Sequence, residues 1–399
     1  DSDITGGACW FDAQAINTER LVLSIVLAAK QLGARVENYQ KIGRLVKKGR
    51  SFQVQLAASQ KHTAVLCSAK YVVDCSGRAS YLEKEYLTLL KGERKSVSVF
   101  VKAVNLVIKK KISNYAFGIK AKDDSGMARL LFTAPWQSSS LGEDYTLIGT
   151  WYFDDTKESN SLSPVEFEQC ITQINSAFQE PVCTREDVVQ VHIGFLPADP
   201  EIIESKGPDA SLLKHAKLND WSESNKCHEG LYTLKGTKFT LARKAAEETV
   251  NTLQKKFNLN LSSSKSATQI LWRGSDANVS RLKELKLTEE QIEFLLTYFL
   301  AGVQEIIEIC ENDAEMSLAI PEAEYCCKAI VEYCIRYEYV SRLEDMLVRR
   351  LPIGNGKVPS EGVINYCVEV MSAYLGWGES KEKAEVAELK SYYMKRCQI

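Results

Sequence analysis

The chain has 399 residues, of which 45% are hydrophobic and 26% charged, values typical of a globular protein with two or three domains and a substantial core. Its formal net charge of −2 argues against nucleic acid as the main partner, because no basic excess is available to neutralise phosphates. No run of about 18 apolar residues occurs, so we expect no transmembrane helix. The acidic start, Asp1-Ser2-Asp3, does not have the pattern of a signal peptide.

Cysteines and histidines show no spacing that predicts a metal site. The chain has twelve cysteines and four histidines, but no C-x-x-C motif, and the histidines are scattered. We therefore expect neither a metal centre nor a disulfide framework. Free thiols that pack as small hydrophobic groups in a reducing compartment explain the cysteines better.

The first predicted elements describe part of a parallel α/β layer. Residues 15–32 form a helix that is apolar almost all round, so we expect it to be buried on more than one side. A strand is predicted from 36–39, a hairpin with one wet face over 52–67, and a buried parallel strand over 71–73 that ends in a turn. This is the pattern of the second half of a dinucleotide-binding domain, whose ligands lie at the carboxyl ends of the strands.

The first half of such a domain is missing from the sequence. No G-x-G-x-x-G motif occurs, so neither the turn that cradles a pyrophosphate nor its ribose-binding acid is present. The chain is either a piece that lacks its N-terminal segment or a protein that has lost the cofactor site. We expect the first alternative.

A second domain is predicted from about 95 to 235. Its strand-like segments are 97–101, 104–108, 130–132, 145–153 and 188–193. Ser163-Pro164-Val165-Glu166 has the pattern of a helix start, with Ser as N-cap and Glu placed to reach back. Strands interrupted by a crossing helix predict an α+β layer with a mainly antiparallel sheet.

A strand, a glycine turn and a long amphipathic helix follow from 231 to 257. Lys238 and Thr240 lie in the turn, where a helix start offers free N–H groups and the positive end of its dipole to an anion. Beyond a linker at 260–265 the chain is predicted to be helical. A capping box at 288–291 is followed by helices at about 321–350, 360–376 and 378–391.

Seven motifs, taken together, resemble the FAD-dependent glycerol-3-phosphate dehydrogenases of the D-amino-acid-oxidase-like flavoprotein superfamily. Gly236–Glu247 resembles the family's G-G/V-K-x-T-T-x-R-x-x-A-E segment. The other matches are Gly6–Gln14 with Glu19–Leu23, Val72–Gly77, Ala134–Trp136 with Ile148–Thr150, Gly194–Pro197, Leu212–His215 and Leu343–Arg350. Each motif is weak, but their succession follows the family order along nearly the whole chain.

The resemblance implies a three-part architecture. Residues 1–95 would form a partial, Rossmann-like FAD-binding domain to which 231–258 return. Residues 96–230 would form an antiparallel-sheet substrate-binding or cap domain, and 266–399 a C-terminal helical domain. In the family the flavin-fingerprint segment lies upstream of the point where this chain starts, so we expect the chain as given to be incomplete for activity.

The function implied by the resemblance is FAD-dependent oxidation of sn-glycerol 3-phosphate to dihydroxyacetone phosphate. The electrons would pass to a quinone or to oxygen. The implied partners are therefore a small-molecule substrate and FAD, with a quinone as a further candidate and no nucleic acid. The implied location is the cytoplasm, with peripheral membrane contact, or the mitochondrion in a eukaryote.

The resemblance also implies roles for individual residues. Lys238 and His215 are the expected catalytic groups, and these two with Lys214 and Arg243 are expected to bind the substrate. The expected cofactor-binding residues are Ser76, Gly77, Gly149, Thr150, Gly236, Thr237 and Thr240. No metal ligand is implied. For each of these residues an ordinary structural role, such as a solvated loop or a helix face, is the competing interpretation.

Two departures from the family pattern leave alternatives open. Leu196 stands where many members have Arg in a G-x-R-P motif, which puts the identity of the substrate in doubt. Arg78-Ala79 replaces the family's Pro-Trp after Gly77, which puts unchanged FAD contacts in doubt. The rival hypotheses are a degenerate, non-catalytic relative that acts as a binding or assembly module, and an oxidoreductase of the same superfamily that acts on an amine.

Overall fold

The structure of the protein is a computed structural model that describes residues 6–57, 66–79, 99–122, 128–136, 144–154, 160–223, 226–272 and 276–396. In this part of the chain the α-helices are α1 (Thr18–Gln31), α2 (Pro164–Ser176), α3 (Pro200–Lys206), α4 (Pro208–Ser211), α5 (Ala242–Phe257), α6 (Asp276–Glu284), α7 (Glu289–Tyr298), α8 (Val303–Asn312), α9 (Lys328–Tyr337), α10 (Glu361–Leu375) and α11 (Glu379–Arg396). The strands are β1 (Ile42–Lys48), β2 (Ser51–Leu56), β3 (Leu66–Ala69), β4 (Val72–Asp74), β5 (Val99–Ile108), β6 (Phe117–Lys122), β7 (Ala128–Trp136), β8 (Tyr145–Asp154), β9 (Val188–Ala198), β10 (Lys217–Asp220), β11 (Leu231–Lys235), β12 (Ala319–Ile320) and β13 (Ala323–Cys327).

A five-stranded antiparallel sheet, in the order β6-β7-β8-β5-β9, forms the centre of the middle third of the chain. One face packs against α2, where Trp151 and Phe167 are almost fully buried. The indole N–H of Trp151 donates to Gln173 of α2 at 2.9 Å. The predicted α+β layer with an antiparallel sheet is therefore confirmed.

Helix α2 begins at the predicted capping box. The Ser163 hydroxyl accepts from the Glu166 backbone N–H, and the Glu166 carboxylate accepts from the Ser163 N–H. Glu166 also pairs at 2.8 Å with the buried ammonium of Lys102 on β5. The same carboxylate therefore caps the helix and fixes it to the sheet.

A second, three-stranded sheet has the order β10-β11-β4. Strands β11 and β4 are parallel, with Leu231 beside Val72 and Thr233 beside Asp74. This confirms the predicted parallel strand near 71–73 and shows that residues 231–235 return to it. Strands β1, β2 and β3 form a separate antiparallel sheet, which packs on the parallel pair through Phe52.

The C-terminal third forms a helical unit with its own hydrophobic core. Helix α7 starts at the predicted capping box, where the Gln291 N–H donates to the Thr288 hydroxyl at 3.2 Å. Phe294, Phe299 and Tyr333 form an aromatic cluster inside the unit. No helix among the described residues combines the length and apolarity that crossing a bilayer requires.

The loop from 352 to 356 joins the helical unit to the five-stranded sheet. The Gln190 amide donates to the Gly354 carbonyl at 2.9 Å, and the Trp136 indole donates to the Asn355 carbonyl at 3.1 Å. Tyr393 of α11 also donates to the Gly354 carbonyl, at 3.0 Å. One carbonyl therefore holds a sheet residue and a helix residue together.

A buried ion pair joins α1 to the helical unit. The Arg20 guanidinium lies 2.6 Å from the Glu338 carboxylate, and both side chains are buried. Arg20 also donates to the Tyr298 carbonyl and lies over the Phe299 ring.

Two expectations for the N-terminal region are wrong. Helix α1 is not buried on more than one side: Leu23 and Leu27 are buried, whereas Leu21, Val22 and Ile25 are 41–48% exposed. Burial is confined to a stripe with helical spacing because the helix packs on one neighbour, the C-terminal unit.

The strand expected at 36–39 does not form. Tyr39 has a left-handed φ of 55°, and its phenol donates to Asp345 at 2.5 Å. The Asn38 amide donates to the Tyr339 carbonyl at 2.7 Å. Side-chain contacts with the helical unit therefore replace sheet pairing, and β1 starts only at Ile42.

Several other boundaries also differ from the predictions. The helix expected over 321–350 is instead β13, α9 and a π-helical segment, Asp345–Arg350. The 3₁₀ turn Phe239–Leu241 separates the glycine turn from helix α5, which starts at Ala242. The last helix runs to Arg396 rather than to 391. Residues 58–65, in the middle of the hairpin predicted over 52–67, lie outside the described residues.

Candidate active site

Three segments that carry predicted site residues reach one edge of the three-stranded sheet. Because β4 and β11 are parallel, the turns that follow them, 75–79 and 236–241, leave the sheet at the same edge. Strand β10 begins at Lys217, which pairs with Lys235 at the end of β11. The segment 214–215, just before β10, therefore lies at this edge as well.

The turn after β4 is held by its own side chains. The Asp74 carboxylate accepts from the Ser76 backbone N–H at 2.8 Å and from the Ser76 hydroxyl. Gly77 has a positive φ of 60°, a conformation that glycine adopts without strain. Arg78 lies over the Phe195 ring at 3.7 Å and donates to Asn160 at 3.1 Å, which brings the turn to β9.

The turn after β11 offers polar groups without protein partners. Lys238 is exposed and extended, and a 3₁₀ turn, Phe239–Leu241, leads from it into α5. The hydroxyl oxygen of Thr237 is buried and has no hydrogen-bond partner among the described residues. Buried polar atoms are almost always satisfied, so this oxygen fits contact with a ligand. Gly236 and Thr240 are exposed beside it.

The segment before β10 connects this edge with the end of β9. The Leu213 N–H donates to the Pro197 carbonyl at 3.0 Å, and Leu212 bridges to Ala198. Lys214 and His215 follow directly and are both exposed. Lys214 and His215 therefore lie between the glycine turn and the segment that contains Leu196.

The edge of the sheet is basic. Its cationic or titratable side chains include Lys214, His215, Lys217, Lys235, Lys238 and Arg78, together with the carboxylate of Asp74 at the end of β4. Helix α5 begins with no acidic residue in its first turn, so nothing offsets the positive end of its dipole there. Such an edge suits a phosphate group, which binds ammonium groups and helix starts. Among the described residues, no group of three or more His, Cys, Asp or Glu could hold a metal ion.

Other predicted site residues lie apart from this edge or are engaged elsewhere. Gly149 and Thr150 belong to β8 of the five-stranded sheet, and the Thr150 hydroxyl donates to Asn105 at 2.8 Å. A Cβ on Gly149 would lie 2.0 Å from the Asn105 amide oxygen, which explains the glycine structurally. Arg243 pairs with Glu247 at 2.8 Å. The functional roles of these residues stay predictions.

His192 is a candidate that sequence reasoning did not single out. The Gln190 amide N–H₂ donates to Gly354, so its oxygen, 3.1 Å from His192 Nε2, acts as acceptor. Nε2 therefore carries the proton, and Nδ1 keeps a lone pair. Burial lowers the pKa of His192 to about 4, and Arg396 contributes to the shift. The alternation of apolar residues at Val191 and Ile193 indicates that His192 lies on the opposite face of β9. The sequence contains no pattern that identifies the partners of His192.

Comparisons with known proteins support the resemblance. Residues 242–382 match the model of the C-terminal domain of alpha-glycerophosphate oxidase. The mitochondrial glycerol-3-phosphate dehydrogenase of Mesocricetus auratus is 24% identical over 96% of this chain and 52% of its own length. That of Bos taurus is 24% identical over 98% and 53%. The chain spans about half the length of these curated relatives.

Bacterial glycerol-3-phosphate dehydrogenases are also similar to this chain. The glycerol-3-phosphate dehydrogenase of Synechocystis is 22% identical over 99% of this chain and 72% of its own length. Among solved structures, the glycerol-3-phosphate dehydrogenase of Bacillus halodurans, complexed with FAD, aligns with a TM-score of 0.70 at 19% identity. The alignment covers 95% of this chain and 73% of that chain. The fold described above is therefore shared with that protein.

Proposed function

We propose that this chain, which belongs to the FAD-dependent glycerol-3-phosphate dehydrogenase family, contributes the substrate site of an enzyme that oxidises sn-glycerol 3-phosphate to dihydroxyacetone phosphate. The convergence of the segments 75–79, 212–215 and 236–241 at one basic sheet edge carries the proposal. It combines cations for a phosphate with the buried Thr237 hydroxyl, which has no hydrogen-bond partner in the described part of the chain and is available to a cofactor.

The phosphate of the substrate would be held by Lys238, Lys214 and His215. All three side chains are exposed and lie at the same edge. A phosphate monoester carries a charge of about −2 near neutral pH, and hydrogen bonds between cationic groups and phosphate are roughly twice as strong as neutral ones. Lys214 and Lys217 can supply the charge that Leu196 does not.

The cofactor would be held by Ser76, Gly77, Gly236, Thr237 and Thr240. The Thr237 hydroxyl is buried and accepts or donates no hydrogen bond within the ranges that the structure describes, which fits this role. The sequence contains no G-x-G-x-x-G motif, whose turn would hold the pyrophosphate of the cofactor. We therefore propose that these residues hold the flavin end of FAD. When bound, FAD supplies the hydride acceptor.

The residues at the edge must also remove the proton of the C2 hydroxyl. His215 is the proposed base, because its imidazole is exposed at this edge and histidine is the residue that most often serves as a general base. Lys238 would stabilise the negative charge that develops on the substrate oxygen or on the ring edge of the reduced cofactor. A quinone or oxygen would then accept the electrons.

Flavin reduction tests the proposal directly. The protein is expressed from its full reading frame, its flavin content is measured, and glycerol 3-phosphate is added without oxygen. We expect the flavin absorbance near about 450 nm to bleach. In a Lys238→Ala variant we expect the rate constant of reduction to fall by roughly 10²-fold or more, whereas Lys244→Ala, which changes an exposed lysine of the following helix α5, should change it little.

The other outcomes separate the rival functions. Flavin that binds but is not reduced by glycerol 3-phosphate would point to a different substrate, such as an amine. A full-length protein that binds no flavin would contradict the enzymatic function and leave a binding module.

A further inference from the structure

A cleft of about 630 Å³ lies between the edge strand β9 and the last helix, α11. Strand β9 contributes Val191, Ile193 and Phe195, and one face of α11 contributes Tyr392, Lys395 and Arg396. We call it the β9–α11 cleft. Its volume is in the range of pockets that bind small molecules.

The cleft has an excess of positive charge. Its charged lining consists of four cations, Arg342, Arg349, Lys395 and Arg396, and two carboxylates, Glu344 and Glu388. Four positive and two negative charges leave a net charge of +2. The cleft is therefore suited to an anion with two negative charges.

The two arginines and the two α11 cations differ in their partners. Arg342 pairs with Glu388, and Arg349 pairs with Glu344. Lys395 and Arg396, in contrast, form no ion pair with any carboxylate that the structure describes, and Arg396 lies over the Tyr392 ring at 4.4 Å. These two side chains account for the charge excess.

The helix dipole alone does not explain this arrangement. Cations in the last turn of α11 favour the negative end of its dipole, but Arg342 and Arg349 belong to a different segment of the chain. Both face the same cavity as Lys395 and Arg396. Glu388 and Glu344 offset the charges of the two arginines, so among the described residues the charge left for a ligand is that of Lys395 and Arg396.

The cleft borders the turn after β4, because Arg78 of that turn lies over Phe195 and donates to Asn160, and both of these residues line the cleft. Val191, Ile193 and Phe195 alternate along β9 with residues on its opposite face, such as His192 and Leu196. Side chains alternate between the two faces of a strand. Lys238 and His215 are not part of the cleft lining.

We propose that the β9–α11 cleft binds a phosphate monoester with a small apolar or aromatic body. A phosphate monoester carries the required charge of about −2, and its oxygens match the donor geometry of guanidinium groups. Ser391 adds a hydroxyl donor. Ile193 and the Tyr392 ring, which line the cleft, would contact the organic body.

The test is a titration of the full-length protein with phenyl phosphate, in which the heat of binding is measured by calorimetry. We expect saturable binding that a Lys395→Ala/Arg396→Ala double variant weakens by about tenfold or more, since two charge-assisted contacts are lost. A Lys383→Ala/Lys390→Ala double variant is the matched control. It removes two exposed charges from the same helix outside the cleft, and its affinity should stay within about twofold of the unmodified protein.

Several results would overturn the proposal. These are an absence of saturable binding, equal affinity in the Lys395→Ala/Arg396→Ala variant, or an equal loss in the control. Citrate binding as tightly as phenyl phosphate would reject the phosphate class. A Lys238→Ala variant tests the location, because binding in the cleft should survive it and binding at the proposed active site should not.

Discussion

His192 and His215 illustrate how surroundings decide the properties of one residue type. His215 is exposed at the basic sheet edge, whereas His192 lies beside Gln190 and packs edge-to-face on Trp136, with ring centroids 5.3 Å apart. Burial lowers the pKa of His192 from 6.5 to about 4. Its imidazole is therefore neutral at physiological pH.

We predict that His192 makes the folded state less stable in mild acid. Below about pH 6.5 the unfolded chain binds a proton at this residue, and the folded chain binds it only near pH 4, so stability falls as the pH drops through this window. A His192→Gln variant should lose less stability between pH 7 and 4.5, by on the order of 2–3 kcal/mol. Urea unfolding at the two pH values measures this.

The matched control is His215→Gln, in which the exposed imidazole is removed. Its pH dependence should follow the unmodified protein. A His192→Gln variant with an unchanged pH dependence would contradict the assignment of a buried, neutral imidazole.

The sequence predicted which residues reach the sheet edge better than it predicted their partners. Lys238 and Thr237 could be placed because a strand, a glycine turn and a helix are local patterns. The tautomer of His192 depends on the Gly354 carbonyl, which lies far away in the chain but accepts from Gln190 in the fold. No local pattern contains that information.

At the scale of elements, the start of α2 depends on two side chains with different tasks. Ser163 only caps the helix, whereas Glu166 caps it and neutralises the buried Lys102. We predict that Ser163→Ala lowers the free energy of unfolding by about 1 kcal/mol. Glu166→Ala should cost about 3–5 kcal/mol, because it also leaves a buried ammonium unpaired.

Chemical denaturation of the two variants tests this difference. Glu168→Ala, which changes an exposed carboxylate of the same helix, is the control and should stay within about 0.5 kcal/mol of the unmodified protein. Equal effects of Ser163→Ala and Glu166→Ala would show that the contact with Lys102 contributes nothing.

Capping and pairing explain which elements could be predicted. Both capping boxes, at Ser163 and Thr288, lie within four consecutive residues, and both were predicted correctly. The segment 36–39 has strand-like composition, but a strand forms only where a partner pairs with it. Here the side chains of Asn38 and Tyr39 bind the helical unit instead.

At the scale of the whole molecule, the Arg20–Glu338 pair connects α1 with the C-terminal helical unit. Both side chains are buried, and their charged atoms lie 2.6 Å apart. We predict that Glu338→Ala lowers the free energy of unfolding by about 3–5 kcal/mol, because the Arg20 charge would stay buried without its partner. Glu379→Ala, at an exposed pair with Lys383, should cost less than about 1 kcal/mol.

Gly354 joins the antiparallel sheet to the helical unit because its carbonyl accepts from Gln190 and Tyr393. A Cβ at this position would lie 2.0 Å from the Tyr393 hydroxyl oxygen and 2.4 Å from the Leu347 carbonyl. We therefore predict that Gly354→Ala costs about 1–3 kcal/mol through overpacking. If the added methyl group displaces the Gly354 carbonyl from Gln190 and Tyr393, the sheet and the helices should no longer unfold together.

Calorimetry tests this, with Gly378→Ala as the matched control. A Cβ on Gly378 would meet nothing within 4 Å, so this variant should unfold as the unmodified protein does. In Gly354→Ala we expect a broader or split transition, and an earlier change in the fluorescence of Trp136, whose indole donates to Asn355. A single, unshifted transition in both variants would mean that the 352–356 loop does not couple the two units.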